Sequence, residues 1–273
     1  MFQAQASRNN VGTAVNIAEL IYHATVRQLR KTHGTAVIGL IMNIMQAIIL
    51  VAIFFLMFSI LGLRSSAVRG DFLLYVMSGI FLYLTHTKAM GAVVGAEGPA
   101  SPIMQHSPMN TVISISSSAL AALYIQVLSL GVILTIYYSA GTHFTIMNAA
   151  GAMAMLLLAW FSGVAVGLVF FALKPWFPGF VSIASVIYSR ANMIASGKMF
   201  LANSLPPKML ALFSWNPLFH CIDQARGFTF INYNPHNSSI IYPLYLSLAL
   251  MMIGLMGEFF TRKHASISWS ARL

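Results

Sequence analysis

Charged residues are scarce in this sequence. Only 7% of its 273 residues are Asp, Glu, Lys or Arg, whereas 58% are hydrophobic. Residues 98–173 contain none of these four types. An ordinary soluble domain carries about 25% charged residues, so this stretch excludes such a domain and predicts an integral membrane protein. It is long enough for two spans of about 20 apolar residues each.

Acidic residues and cysteine are nearly absent as well. The five acidic residues all lie outside the middle of the long apolar runs: Glu19, Asp71, Glu97, Asp223 and Glu258. Transporters coupled to protons or sodium usually carry a carboxylate inside the membrane, so the sequence disfavours that class. The single cysteine, Cys221, excludes an intrachain disulfide.

Motifs for nucleotide and metal binding are missing too. Ser196-Gly197-Lys198-Met199 lacks both the earlier glycine and the final Ser or Thr of the phosphate-binding loop G-x-x-x-x-G-K-[ST]. The eight histidines include no H-x-x-x-H or H-E-x-x-H spacing. We therefore expect neither a cofactor nor a metal site in this chain.

Apolar segments dominate what remains. They are long and continuous rather than alternating, which favours transmembrane helices over β-strands. The predicted spans cover residues 37–63, 72–94, 111–138, 144–173, 180–195 and 240–257. The sequence thus predicts an all-α integral membrane protein, with six transmembrane helices in a single domain over residues 1–273.

An amphipathic helix is predicted over residues 16–35, in the plane of the membrane interface. Its polar residues recur at spacings of three and four and share one face: Asn16, Glu19, His23, Arg27 and Arg30. Leu20 and Ile21 lie on the neighbouring face. Such a helix places its apolar side in lipid and its basic side toward headgroups. A membrane anchor and a docking surface for a cytoplasmic partner both fit this pattern.

Basic residues cluster at the ends of the apolar segments and do not form one long tract. The net charge of +10 is therefore better explained by the positive-inside rule than by nucleic-acid binding. With the N-terminus inside, most Lys and Arg residues, including those at 27–31 and 262–263, lie on the cytoplasmic side. We expect both termini to be cytoplasmic.

Helix-breaking residues interrupt the chain between the fifth and sixth predicted spans. Pro206 and Pro207 can open a helix, and Asn216-Pro217 can end one helix and begin the next. Arg190 would cost about 2.5 kcal/mol or more facing lipid at mid-bilayer. We therefore expect the fifth span to end early and short re-entrant helices to follow in or on the outer leaflet of the membrane.

The order of these features resembles the permease subunits of capsule and O-antigen polysaccharide exporters, a family of type 2 ABC exporters. The segment Trp215-Asn216-Pro217-Leu218-Phe219-His220, with Asp223 and Arg226 behind it, is similar to the family's Asn-Pro-x-x-His segment. Residues 29–39 resemble the family's approach to the first span. The uncharged residues 107–115 depart from the family pattern, which carries an Asp and an Arg there.

The resemblance implies a homodimer in the bacterial inner membrane. Each copy would pair with a separate cytoplasmic ATPase, which binds ATP and Mg²⁺, so this chain would be a transport subunit and not an enzyme. A lipid-linked polysaccharide would pass between the two copies. Periplasmic or outer-membrane export partners are also compatible with this scheme.

The resemblance further implies roles for individual residues. Coupling to the ATPase would involve Glu97, Pro102, Gln105, His106 and Pro108. A cytoplasmic gate would be formed by Arg27, Arg30 and Lys31. A periplasmic gate would include Arg190, Ser196, Gly197, Asn216, Pro217, His220, Asp223 and Arg226.

Aromatic residues in the spans suggest a path for a sugar polymer, because aromatic rings can stack on the faces of sugars. The predicted path residues are Phe54, Phe58, Tyr83, Tyr124 and Trp160. Ordinary packing is the alternative for each of them, since aromatic residues are common in helical bundles and at membrane interfaces.

Two other functions stay open. A membrane-embedded enzyme that modifies lipid or glycan would use His86, Lys88 or His220 as acid–base groups. The simpler interpretation packs His86 between helices and extends Lys88 toward the headgroups. A type 2 ABC exporter of another cargo, such as a drug or teichoic acid, would share the transport mechanism.

Overall fold

A computed structural model describes residues 10–31, 36–60, 71–98, 110–140 and 144–264. These residues form α-helices, one 3₁₀ turn and short connections, and no β-strand occurs among them. The helices are α1 (Asn10–Lys31), α2 (Ala36–Ile60), α3 (Phe72–Val94), α4 (Thr111–Ser139), α5 (Ala149–Leu173), α6 (Pro178–Ala195), α7 (Pro207–Phe213), α8 (Pro217–Thr229) and α9 (Ile241–His264). The 3₁₀ turn covers Ala202–Ser204.

Four helices within these ranges are long and apolar enough to cross a membrane: α2, α4, α5 and α9. Helix α3 matches the predicted second span in its bounds, but its hydropathy is lowered by Thr85-His86-Thr87-Lys88. Helix α6 has only 18 residues and contains Arg190. The structure therefore supports a helical membrane protein, while spanning by α3 and α6 stays a prediction.

Two ends of the predicted spans differ from the described helices by five residues or more. Helix α5 begins five residues later than predicted, because the Asn148 side chain caps it by accepting from the Gly151 N–H at 2.9 Å. The backbone N–H groups of Met147 and Asn148 instead donate to carbonyls at the end of α8. Helix α9 continues past Gly257 to His264, with the Glu258 side chain buried rather than ending the helix.

Helix α5 is at the centre of the bundle. Within its most apolar window 67% of the residues are buried, against 22% in each of α2, α4 and α9. It packs between α3 and α9, and α8 crosses its first half. Glycines permit this close approach, since a Cβ at Gly163 or Gly167 would lie within 3 Å of a backbone oxygen of α3. Helices α3, α5, α8 and α9 therefore form the core of the bundle, and the remaining elements pack around them.

Helix α1 packs along α4 and exposes Leu20 and Tyr22, as an interfacial helix would. It begins at Asn10, before the predicted start at residue 16, and Nε2 of the exposed His23 lies 3.7 Å from a carboxylate oxygen of Glu19. Residues 32–35 of the predicted interface helix lie outside the described part of the chain.

A basic groove and a polar connector as candidate functional sites

A groove of about 720 Å³ lies between α2, α3 and α6. Along α6 it extends from Pro178 to Met193, which corresponds to about 22 Å at 1.5 Å per residue. Its polar lining consists of Gln46, Tyr83, Thr87, Lys88, Lys174, Ser182, Ser185, Ser189 and Arg190. Among the described lining residues three are cationic and none is acidic. The groove is therefore suited to an anionic molecule that carries hydroxyl groups.

Each of the three basic side chains in the groove has N–H donors that are not used in hydrogen bonds to described residues. Lys88 Nζ donates to Gln46 Oε1 at 2.7 Å, and Lys174 Nζ donates to the carbonyl of Val94 at 3.1 Å. An ammonium has three N–H donors, so each lysine can still bind an anionic oxygen. Arg190 is exposed and makes no hydrogen bond to a described residue.

Serine hydroxyls form one side of the groove. Ser182, Ser185 and Ser189 occupy one face of α6, at spacings of three and four residues. The Ser185 and Ser189 hydroxyls donate to carbonyls one turn earlier in the helix, at 3.1 and 2.9 Å. Their oxygen lone pairs are therefore the groups that can accept from a hydroxyl of a bound molecule.

A second cavity, of about 500 Å³, lies between α1, α2, α3 and α4. We call it the α1 cavity. Its lining residues are Gln28, Leu29, Gly39, Met42, Asn43, Gln46, Lys88, Ala92, Ser118, Ala121, Ala122, Ile125 and Gln126. Gln46 and Lys88 are the described residues that line both this cavity and the groove.

His86 links three helices. It is fully buried in α3; its Nδ1 lies 2.9 Å from Ser162 Oγ in α5, and its Nε2 lies 3.0 Å from the Tyr188 hydroxyl in α6. The Ser162 hydroxyl donates to the carbonyl of Ala159, so Nδ1 must be the protonated nitrogen and Nε2 accepts from Tyr188. In this arrangement His86 joins the helices and has no contact with either cavity, which fits the packing interpretation.

Arg226 organises the connector between α6 and α9, residues 196–240. Its guanidinium donates to the carbonyls of Gly197, Lys198 and Phe200 at 2.7–2.8 Å and lies 4.2 Å from the centroid of the Tyr75 ring. These bonds join α8 to the turn that follows α6 and to α3. Arg226 is only 1% exposed, so the turn depends on a buried charge.

Gly197 and Asn216 shape the same region. Gly197 has φ of 76°, and a Cβ there would lie 2.8 Å from the Phe219 ring, so both conformation and space require glycine. Asn216 caps α8 by accepting from the Leu218 N–H at 3.0 Å, with Pro217 in the first turn. Its amide donates to Asn192 Oδ1 at 2.8 Å, which attaches α8 to the end of α6.

His220 and Asp223 complete the connector. His220 Nε2 lies 2.8 Å from the carbonyl of Ser214, and the N–H of Ser239 donates to Nδ1 at 3.0 Å. The carbonyl only accepts and the N–H only donates, so His220 is neutral with its proton on Nε2. Asp223 accepts hydrogen bonds from the hydroxyls of Tyr233 and Ser238.

Acidification should weaken the connector through His220. Burial lowers the pKa of His220 below its usual value of about 6.5. The unfolded chain therefore binds this proton more readily, and stability falls as the pH decreases from about 6.5 through the folded-state pKa. We expect the wild-type melting temperature in detergent to fall between pH 7 and pH 5, and His220→Gln to reduce that fall. An unchanged pH profile in the variant would contradict the assignment.

The structure gathers most of the predicted periplasmic-gate residues but not all of them. Ser196, Gly197, Asn216, Pro217, His220, Asp223 and Arg226 lie in the connector, whereas Arg190 lies in the groove. Seven of the eight predicted residues thus belong to one connector, and their role as a gate stays a prediction.

Within a single copy of the protein, the five predicted path residues do not lie together. Tyr83 lines the groove, whereas Phe54 and Phe58 are buried in the core against α3. Trp160 donates to the carbonyl of Ala119 at 2.9 Å, and Tyr124 is exposed on α4. Aromatic type alone therefore did not distinguish packing residues from groove residues.

The remaining predicted residues are only partly described. Glu97 is half-buried, and its backbone N–H donates to Ser114 Oγ at 3.0 Å. Pro102, Gln105, His106 and Pro108 lie outside the described residues. Arg27 is exposed on α1; Arg30 and Lys31 lie at its end, and their side chains are outside the described part. The coupling and cytoplasmic-gate assignments stay predictions.

Lys198 was not singled out by sequence reasoning. Its side chain is 3% exposed, and Nζ lies 3.8 Å from the centroid of the Tyr83 ring and 4.7 Å from that of Phe54. Burial lowers the pKa of Lys198 to about 8, while the two aromatic faces favour the charged form. The sequence does contain a signal that could have identified Lys198: it directly follows a glycine and is surrounded by apolar residues.

The apolar helices and the two cavities, which contain basic, amide and hydroxyl groups, define a helical membrane protein with a basic groove. No family model matches the sequence. Over 202 residues the chain is 23% identical to the polysialic acid transport protein KpsM of Escherichia coli. The matched part amounts to 72% of this chain and 76% of KpsM. The likeness therefore covers most of both proteins.

Proposed function

We propose that the protein is the permease subunit of an ATP-driven exporter that moves a lipid-linked polysaccharide across the cytoplasmic membrane. The likeness to a polysialic acid transport protein, over about three quarters of both chains, is the observation that carries this proposal. The groove adds physical support, because cations and hydroxyls without a lining acid suit a hydroxyl-rich, anionic polymer. Capsule and O-antigen glycans are the cargoes we consider first.

The proposal includes a homodimer. A single chain does not enclose the groove fully, and α2 and α6, which both line it, carry exposed apolar side chains, including Ile41, Ile53, Ile183 and Ile187. A second copy placed against these helices would close the groove into a path between the subunits. Periplasmic and outer-membrane export partners would act beyond it.

ATP would be hydrolysed on a separate cytoplasmic subunit, because this sequence contains no phosphate-binding loop. That partner would bind ATP and Mg²⁺ and would contact the connection after α3, which begins near Glu97. The basic α1 would form the cytoplasmic gate, and the connector between α6 and α9 would form the periplasmic gate. Both termini would then be cytoplasmic in the inner membrane.

Deletion of the gene tests the proposal. We expect cells without the protein to accumulate lipid-linked oligosaccharide inside and to lose the corresponding surface glycan, since synthesis continues while export stops. Glycan analysis of separated membrane and surface fractions measures both effects.

Complementation provides the control. The wild-type gene should restore export only when an active partner ATPase is present, and a hydrolysis-deficient ATPase should not support it. Normal surface glycan in the deletion strain would contradict the proposal. So would modification of a lipid or glycan by the purified protein alone, which would favour the enzyme alternative.

A further inference from the structure

The groove and the α1 cavity meet at a single polar pair. Gln46 in α2 and Lys88 in α3 are the described residues common to both linings, and Lys88 Nζ donates to Gln46 Oε1 at 2.7 Å. Among the described residues, no other residue lines both cavities. The hydrogen bond between Lys88 and Gln46 therefore lies at the boundary between the groove and the α1 cavity.

We propose that the groove and the α1 cavity are two parts of one anion-binding passage, and that the Lys88–Gln46 hydrogen bond is a partition between them. The ligand is a molecule bearing an oxyanion, a phosphate or carboxylate, together with hydroxyl groups. The oxyanion of this ligand takes the place of the Gln46 side-chain oxygen, Oε1, at the Lys88 ammonium and thereby opens the partition. In taking the exported molecule as this ligand, the inference rests on the proposed function.

The α1 cavity contains its own polar binding groups. Gln126 donates through Nε2 to Asn43 Oδ1 at 3.1 Å, and Asn43 donates to Ser129 Oγ at 2.9 Å. Gln126 is only 1% exposed, and its Oε1 has no hydrogen-bond partner among the described residues. A buried amide oxygen without a donor is costly. A ligand hydroxyl that enters the cavity and reaches this side chain would remove that cost.

Charge decides the exchange at Lys88. A neutral amide oxygen is a weaker acceptor for an ammonium than an anionic oxygen, because the oxyanion adds the attraction between two full opposite charges to the hydrogen bond. The groove supplies two further cations, Lys174 and Arg190, to an anion that approaches Lys88. The α1 cavity supplies amides and hydroxyls beyond it. The order of groups thus favours an oxyanion in the groove and a neutral, hydroxyl-bearing part in the α1 cavity.

Thiol labelling of the purified full-length protein tests the partition without requiring transport. The native Cys221 is fully buried, and burial raises the pKa of its thiol, so it contributes little background. Ser185→Cys places a thiol in the groove, and Ala122→Cys places one in the α1 cavity. The probes are a methanethiosulfonate with a sulfonate group and one with a trimethylammonium group.

We expect the anionic probe to label Ser185→Cys about tenfold faster than the cationic probe, because the groove carries only positive charge among its described residues. In the Ala122→Cys protein, Gln46→Ala should raise the rate of anionic labelling by about tenfold, since the partition is removed. In the Ser185→Cys protein, Lys88→Gln should reduce the preference for the anionic probe but not abolish it, because Lys174 and Arg190 still line the groove. Equal rates for both probes, or no effect of Gln46→Ala, would overturn the proposal.

Gln28→Ala is the matched control, because Gln28 lines the α1 cavity but not the groove. It should change the labelling of Ala122→Cys less than twofold. A tenfold change in this control would show that any loss of a lining amide opens the cavity, and would overturn the role of the Lys88–Gln46 pair.

Protection identifies the source of the oxyanion. The labelling is repeated in nanodiscs of phosphatidylcholine, in the same nanodiscs containing phosphatidylglycerol, and with a soluble oligomer of an acidic sugar. Slower labelling with phosphatidylglycerol supports a lipid headgroup, and slower labelling with the oligomer supports the glycan. Absence of protection in both arms overturns the ligand assignment. These results are independent of the deletion test, so failure of this proposal and failure of the proposed function are distinguishable.

Discussion

Gly163→Ala is expected to destabilise the protein severely and to abolish export. A Cβ at this position would lie 2.3 Å from the backbone oxygen of His86 and 3.0 Å from its Cα. The clash is with backbone and not with a flexible side chain, so α3 and α5 would have to separate. We expect a loss of about 3 kcal/mol, at the upper end of the usual cost of overpacking. Thermal unfolding in detergent measures it.

Gly131→Ala is the matched control for this prediction, since nothing lies within 4 Å of a Cβ there. The same change in open space within a helix should be neutral, or stabilising by up to about 1 kcal/mol. Gly167→Ala should be intermediate, because its Cβ would meet the Met90 oxygen at 2.8 Å. Equal melting temperatures for all three variants would show that α3 and α5 are not held at the distance described.

Helices could be predicted from the sequence because each apolar run is a local signal. The second predicted span has the bounds of α3, and the fifth differs from α6 by only two residues at its start. The start of α5 was missed because residues 144–148 are apolar enough to continue a run. A local cap at Asn148, together with hydrogen bonds to the end of α8, ends the extended segment there.

The polar connector was partly predictable for the same reason. Asn216-Pro217 is a local signal for a helix start, and the structure shows the cap that the pattern predicted. The contacts of Arg226 with the carbonyls of residues 197–200 join positions that are nearly 30 residues apart in sequence. No periodicity or spacing specifies that contact.

The groove could not be predicted from the sequence because it depends on which faces of three helices converge. Lys88, Lys174 and the serines of α6 come together only after α3 and α6 pack side by side. The three- and four-residue spacing of Ser182, Ser185 and Ser189 was visible, but a polar stripe in an apolar helix does not identify its partner. Tyr83 was named for its ring, whereas the structure also uses its hydroxyl, which donates to the Ser189 carbonyl at 3.2 Å.

Polar contacts rather than burial hold α6 against the rest of the protein. On this helix only Val181 and Asn192 are buried. Its attachments include the Tyr83 hydroxyl to the Ser189 carbonyl, Tyr188 to His86, and Asn192 to Asn216. Helices with few buried apolar contacts open at lower free energy than core helices. If one side of the groove moves during transport, α6 is therefore the helix expected to move, and the connector that follows it must keep its own fold.

Arg226→Lys is the second variant for which we expect a large loss of stability, because Arg226 holds the connector together. Lysine keeps the positive charge but cannot reproduce the planar fork that reaches three carbonyl oxygens and the Tyr75 ring. Hydrogen bonds to a charged group contribute about 1.5–3 kcal/mol each, and breaking a buried charge network typically costs 3–5 kcal/mol. We expect a loss of about 3 kcal/mol or more, with faster proteolysis within residues 196–240 and loss of export.

Arg262→Lys is the control with identical chemistry. Arg262 is partly exposed near the end of α9, where its ion pair with Glu258 has an N–O distance of 4.0 Å. That distance is too long for a hydrogen bond, so the pair depends on charge alone, which lysine keeps. The unfolding and proteolysis of this variant should therefore match the wild type. If both variants behaved alike, a cation would suffice at position 226 and the geometry of the guanidinium would be irrelevant. A loss of stability at Arg226 alone would instead show that the connector depends on the geometry of the guanidinium. With the connector held in this way, α6 can move while the end of the groove stays folded.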